Sequence, residues 1–146
     1  MTVKRLTDDE KNIHYWQLWG LTQQSYSPVQ LPQESLFRRT VSRGDVFAII
    51  DGDALVGYAL VDAQECPILL RSIAVNPRYR SMGHGRALLD EVANYYRSHG
   101  WSRLLLHVME HNPAQKLYFD AGWRVTKVLK GYYKPEGNGL EMEKVL

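Results

Sequence analysis

Asn76-Pro77-Arg78-Tyr79-Arg80-Ser81-Met82-Gly83-His84-Gly85-Arg86-Ala87-Leu88-Leu89 is the stretch on which the reading of this chain turns. An apolar run, Ile68 to Val75, precedes it and stops at Asn76-Pro77, which reads as a buried strand ending in a turn. After the basic loop, Leu88, Leu89, Val92, Tyr95 and Tyr96 recur at helical spacing, so the loop runs straight into a helix. A loop of this kind presents unpaired backbone N–H groups at the positive end of a helix dipole, which suits a phosphate. Gly83 and Gly85 are expected to let the main chain approach an anion with no Cβ in the way, and Arg78, Arg80 and Arg86 add positive charge. The spacing excludes two common phosphate binders. No Gly-Lys-Ser/Thr follows, as nucleotide hydrolases require, and the dinucleotide fingerprint needs a third glycine.

What remains is Arg-x-x-Gly-x-Gly, Arg80 through Gly85, between a strand and a helix. This resembles the acyl-CoA pyrophosphate loop of the Gcn5-related N-acetyltransferase (GNAT) superfamily. Downstream, Ala114-Gln115-Lys116-Leu117-Tyr118-Phe119-Asp120-Ala121-Gly122-Trp123 is similar to the family's second signature, Ala-x-x-Leu-Tyr-x-x-x-Gly-Phe, with Trp123 in place of Phe. The resemblance implies acetyl-CoA as co-substrate, no metal, and transfer of the acetyl group to an amine.

The length of 146 residues suits one domain, taken as 1–146. At 45% hydrophobic and 23% charged residues the chain is able to build an ordinary core. A net charge of +2 with no basic stripe argues against nucleic acid. No apolar run reaches the roughly 20 residues of a membrane span, and Met1 to Arg5 lacks a signal-peptide core. Cys66 is the single cysteine, so a reducing, cytoplasmic setting is expected.

Thr7 and Glu10 form a capping box that starts a helix through Ile13, Trp16 and Leu21, ended by Ser25 to Pro28. A second helix is expected from Gln33 to about Ser42, then a hairpin of Val46 to Ile50 and Ala54 to Val61 around Asp51-Gly52-Asp53. After the loop helix, which ends at His99-Gly100, come a strand at Arg103 to Met109 and a helix at Pro113 to Ala121. Strands at Trp123 to Tyr132 and Leu140 to Val145 close the chain. With a short first strand at Val3 to Leu6, the order is β-α-α-β-β-β-α-β-α-β-β, an α/β layout with a mixed sheet. That is the order of the GNAT fold.

Carried onto this chain, the resemblance assigns the backbone of Ile73, Ala74 and Val75 to the pantetheine arm, although a buried strand alone would look the same. Arg80, Ser81, Met82, Gly83, His84, Gly85 and Arg86 fall in the pyrophosphate loop, with His84 where the family usually has an apolar residue. Tyr118 is the expected general acid: a phenol of pKa about 10 is protonated at neutral pH and able to protonate a thiolate. Its alternative reading is a core aromatic beside Leu117. His107 is a candidate base, at a strand position where the ribosomal-protein N-terminal acetyltransferases have glutamate, and a structural histidine is its alternative. Glu110 is the second candidate base, otherwise a solvated loop carboxylate. The family's pantetheine-binding Asn stands three residues before the alanine of the second signature; here His111 holds that place and Asn112 comes one later. Asn112 is therefore either a ligand or the Asn of a turn, and Lys116 either a CoA-phosphate contact or an exposed cation.

For the acceptor, Gly131-Tyr132-Tyr133-Lys134-Pro135 resembles the groove-lining tyrosines of protein N-terminal acetyltransferases, with Tyr26 on the opposite wall. A tyrosine pair in a hairpin is the plainer reading. An α-amine, pKa about 8, is also more often neutral at pH 7 than a lysine at about 10.4. The α-amine of a peptide or protein thus ranks first, a small-molecule amine second, and a non-catalytic acyl-CoA sensor stands as the alternative of another class. Monomer and homodimer both stay open.

Overall fold

The computed structural model describes all 146 residues. The strands are β1 (Lys4–Arg5), β2 (Asp45–Asp51), β3 (Ala54–Asp62), β4 (Ile68–Val75), β5 (Arg103–Met109), β6 (Arg124–Leu129) and β7 (Gly139–Val145). The helices are α1 (Asp8–Ser25), α2 (Glu34–Arg43), α3 (His84–Ser98) and α4 (Ala114–Asp120). One seven-stranded sheet runs β1-β2-β3-β4-β5-β7-β6, antiparallel throughout except for the parallel β4–β5 pair. The expected element order holds, with a 3-10 turn added at Pro77–Tyr79. The sixth strand is shorter than expected, ending at Leu129, so Tyr132 and Tyr133 lie in the β6–β7 loop.

Two cores sandwich the sheet. A bulge at Val56 shifts the alternation along β3 by one residue, so that Val56, Ala59 and Val61 share one face, where Leu88, Leu89, Val92 and Tyr96 of α3 and Tyr118 of α4 meet them. Leu55, Tyr58 and Leu60 point the other way, against Leu18 and Leu21 of α1 and Phe37 and Val41 of α2. The capping box of α1 forms as expected: Glu10 N–H donates to Thr7 Oγ1, and Thr7 N–H donates to Glu10.

The face that α1 buries leaves out two of the apolar residues that mark the helix in the sequence. Ile13 and Trp16 point outward, 75% and 65% exposed. The helix instead buries Lys11, Tyr15, Leu18, Leu21 and Thr22. Lys11 fills a position that periodicity assigns to solvent because its ammonium donates to the carbonyls of Gly44 (2.6 Å) and Ser42 (3.4 Å), capping α2. Trp16 lies instead beneath Arg38, whose guanidinium carbon is 5.2 Å from its ring centre.

Candidate active site

The site begins at a break in the sheet. β4 and β5 pair only over Ile68–Leu104, Leu69–Leu105 and Leu70–Leu106, and then diverge. At the same place β4 carries a bulge: Leu60 lies opposite Ser72 and Val61 opposite Leu70, with Arg71 as the extra residue. Beyond it, Asn76 N–H donates to Val56 C=O, which fixes the ladder so that Ser72 and Ala74 bond to β3. Ile73 and Val75 therefore aim their backbone groups into the notch. Two side chains meet them there. The Tyr26 hydroxyl accepts from Ile73 N–H (2.9 Å) and donates to Ile73 C=O (3.0 Å), and Arg80 Nε donates to Val75 C=O (3.2 Å).

At the end of β4 the basic loop delivers the chain to α3. Gly83 sits at the N-cap in the left-handed region, φ 83°, and no side chain caps the helix. Ser81 is also left-handed, at φ 61°. The first-turn N–H groups of α3 thus stay without side-chain partners, and the amino end has the character of an anion site. Met82 is exposed, and the His84 ring packs edge-on to Tyr79 at 6.2 Å. Gly85 also serves the packing: a Cβ there would lie 3.0 Å from Leu117 Cδ2, so this glycine lets α3 and α4 close together. Arg86 is turned sideways, its Nε on Asp90 (3.0 Å) and Nη1 on the Asp120 carbonyl (3.1 Å).

Two cavities adjoin the notch. The smaller, about 90 Å³, is lined by Ile73, His107, Asn112, Tyr118 and the two tyrosines Tyr26 and Tyr133. The larger, about 320 Å³, runs from His107, Tyr132 and Tyr133 between α2 and β4 to Arg43 and Arg71. Tyr26, Ser72, Arg71, His107 and Tyr133 border both, so the two spaces are neighbours. Ser27 Oγ donates to Glu136 Oε2 (3.3 Å), linking the loops on either side. Tyr118 is 8% exposed. Burial, and then Tyr133, push its phenol up to about 12. Tyr133 is likewise pushed up to about 12, by burial and then Tyr132.

His107 stands between partners on two elements. Its Nδ1 is 3.1 Å from Tyr132 Oη and its Nε2 is 3.4 Å from Glu141 Oε1, the residue directly opposite on β7. Asn112 serves the turn: its Oδ1 accepts from Ala114 N–H (2.8 Å) at the start of α4 while it lines the smaller cavity. His111 points away, its side chain 89% exposed. Glu110 lies outside both cavities and accepts from Asn138 Nδ2 (3.4 Å), fastening the β6–β7 loop. Lys116 pairs with Asp120 at 2.9 Å on an exposed helix face. No group of three or more His, Cys, Asp or Glu side chains is placed to hold a metal ion. No helix is long and apolar enough to cross a membrane.

Sequence reasoning missed Ser72, Arg71, Arg43 and Glu141. Ser72 reaches the buried Tyr58 hydroxyl at 3.1 Å, a contact that depends on the bulge. Glu141 alone had a legible signal, as an acid on the strand that pairs with His107.

The family model of the Acetyltransferase (GNAT) family matches residues 10–123, from α1 to the tryptophan after α4. The chain belongs to the GNAT family. A curated relative, the ribosomal protein bS18-alanine N-acetyltransferase of Haemophilus influenzae, is 29% identical over 93 residues, which covers 64% of this chain and 64% of that protein. The chain thus spans somewhat less than two thirds of that relative's length. Among solved GNAT-fold structures, the ribosomal-protein-S18-alanine N-acetyltransferase from Escherichia coli superposes with a TM-score of 0.81 at 22% identity, over 99% of this chain and 92% of its own. An aminoglycoside 6'-N-acetyltransferase complexed with coenzyme A gives 0.83 at 16% identity, over 99% and 97%. At such identities these structures speak for the fold, and they lead to quite different acceptors.

Proposed function

We propose that residues 1–146 act as one N-acetyltransferase domain that moves the acetyl group of acetyl-CoA directly to an amine, first of all the α-amine of a peptide or protein. One observation carries this reading. The buried Tyr118 borders a cavity shared by the open edge of β4 and the histidine–tyrosine wall of the larger groove. Donor and acceptor would meet there. Family membership, with a bS18-alanine N-acetyltransferase among the relatives, supports the reaction class.

The residues fit the donor. The uncapped start of α3, with Ser81 to Arg86, would take the pyrophosphate through backbone N–H groups. Val75, and Ile73 once Tyr26 swings off it, would pair with the pantetheine amides as a strand edge does. Asn112, which lines the smaller cavity, would contact the arm where it enters.

The acceptor arrives as an ammonium and loses one proton toward His107. Its nitrogen then attacks the thioester carbon: a C–N bond forms, the C–S bond breaks, and Tyr118 protonates the departing sulfur. The second nitrogen proton, lost as the amide forms, restores Tyr118. Overall, RNH₃⁺ and acetyl-CoA give the N-acetyl product, CoASH and one proton. The free, exposed thiol of Cys66 suits a cytoplasmic site of action.

The test is thiol release from acetyl-CoA over a panel of short peptides with different N-terminal residues, beside amino acids, polyamines and aminoglycosides. Peptides should give the highest kcat/KM. A small amine that outperforms every peptide would replace the acceptor assignment, and tight donor binding with no turnover would favour the sensor reading.

A further inference from the structure

The large groove ends, on its catalytic side, in a chain of three groups: Tyr132 Oη, the His107 ring and the Glu141 carboxylate, joined at 3.1 and 3.4 Å. The sequence points to the first two separately, as groove wall and base, and not to Glu141. We propose that Glu141 is the positioning residue of a proton relay in which Tyr132 receives the acceptor's proton and passes its own to His107. This rests on the acetyltransferase reading above.

Donors and acceptors set the direction of the relay. An ionised carboxylate only accepts, so the hydrogen between Glu141 and His107 resides on Nε2. In the neutral ring Nδ1 is then bare and accepts from the Tyr132 hydroxyl. With its one hydrogen committed to His107, the Tyr132 oxygen has lone pairs left for an ammonium N–H in the groove that it lines. The ammonium gives a proton to Tyr132 Oη as the Tyr132 hydrogen moves to His107 Nδ1. The resulting imidazolium keeps its Nε2–H on Glu141 and later returns the extra proton to water. The opposite tautomer would meet the carboxylate with a bare nitrogen, and the relay would have no terminus.

Glu141 is built to stay in place. It lies directly across the β5–β7 ladder from His107, its side chain 15% exposed against 24% for the histidine. Its other oxygen accepts from Thr126 Oγ1 (3.3 Å) and is 3.9 Å from Lys127 Nζ, both on β6. The remaining titratable and charged groups around His107 are Tyr133 beside Tyr132, Tyr26 from the α1–α2 loop, Arg43 from α2, Arg71 from β4, and Tyr118 across the smaller cavity. Among these neighbours Glu141 is the carboxylate that touches the ring.

The experiment has two arms. In the first, kcat and KM of wild type, Glu141→Gln, Glu141→Asp and His107→Ala are measured with the best peptide from pH 6 to 9. Glu141→Gln should lower kcat about tenfold, leave KM within twofold and move the pH profile, short of the about 10²-fold loss expected for His107→Ala. Glu141→Asp should recover much of the rate. In the second arm, imidazole ¹⁵N NMR without substrates reads the tautomer: an Nε2–H ring in wild type and a mixture in Glu141→Ala. An active wild type with an unchanged Glu141→Gln pH profile, or a His107 tautomer indifferent to Glu141→Ala, overturns the relay and leaves the acetyltransferase reading standing. A wild type that acetylates no amine overturns both.

Discussion

Tyr118, proposed above as the general acid, is held protonated by its surroundings. Burial pushes its phenol up to about 12, so it keeps its proton over the whole range in which the enzyme would work. Tyr118→Phe should lower kcat by about 10²-fold or more with acetyl-CoA affinity within twofold, read by stopped assay and calorimetry. Tyr26 invites a change in the opposite direction. Its hydroxyl holds both backbone groups of Ile73, and each such bond contributes about 1 kcal/mol. Tyr26→Phe should therefore tighten acetyl-CoA binding by roughly 30-fold at most, and weaker binding would mean that the phenol itself contacts the donor. A motif and a strand position mark Tyr118 and His107 as candidates in the sequence, and both line the smaller cavity. Arg86 and Gly85 were legible only as belonging to the loop. Asp90, the Asp120 carbonyl and Leu117, which decide what they do, come from other parts of the chain.

At the level of elements, the turn into α3 depends on one backbone angle. Gly83 is left-handed, and nothing lies within 4 Å of the place a Cβ would occupy, so an alanine there meets strain and no clash. Gly83→Ala should cost about 1 kcal/mol in urea unfolding, with a matching loss of donor affinity if the cradle shifts with it. Element order was readable almost residue by residue, since capping boxes, glycine stops and period-2 runs are local signals. The face of α1 was not. Ile13 and Trp16 look like core by type, but Lys11 is held inward by two carbonyls at the end of α2, more than 30 residues away. The bulge at Arg71 left no local trace either, although it turns Ser72 toward Tyr58.

Across the whole molecule, buried phenols tie stability to alkaline pH. Tyr15, Tyr58, Tyr118 and Tyr133 are each pushed up to about 12, in every case by burial first. Their folded values exceed the unfolded value of about 10, so the folded chain binds these protons more tightly. That stabilisation is whole below pH 10 and is lost as pH rises toward 12. Melting temperatures should hold to about pH 9.5 and fall steeply above it, and Tyr58→Phe should blunt the fall.

The divergence of β4 from β5 also sets clocks within the sheet. Past Leu70, alternate amides of one strand live in different company: Ser72 and Ala74 are latched to β3, while Ile73 has only a tyrosine hydroxyl and Val75 N–H faces the notch. Deuterium uptake followed by NMR should run in an odd–even rhythm, with Val75 fastest, Ile73 intermediate, and Ser72 and Ala74 near the slowest in the protein. In Tyr26→Phe the Ile73 amide should quicken to match Val75, so that one strand would record, amide by amide, which of its edges is free.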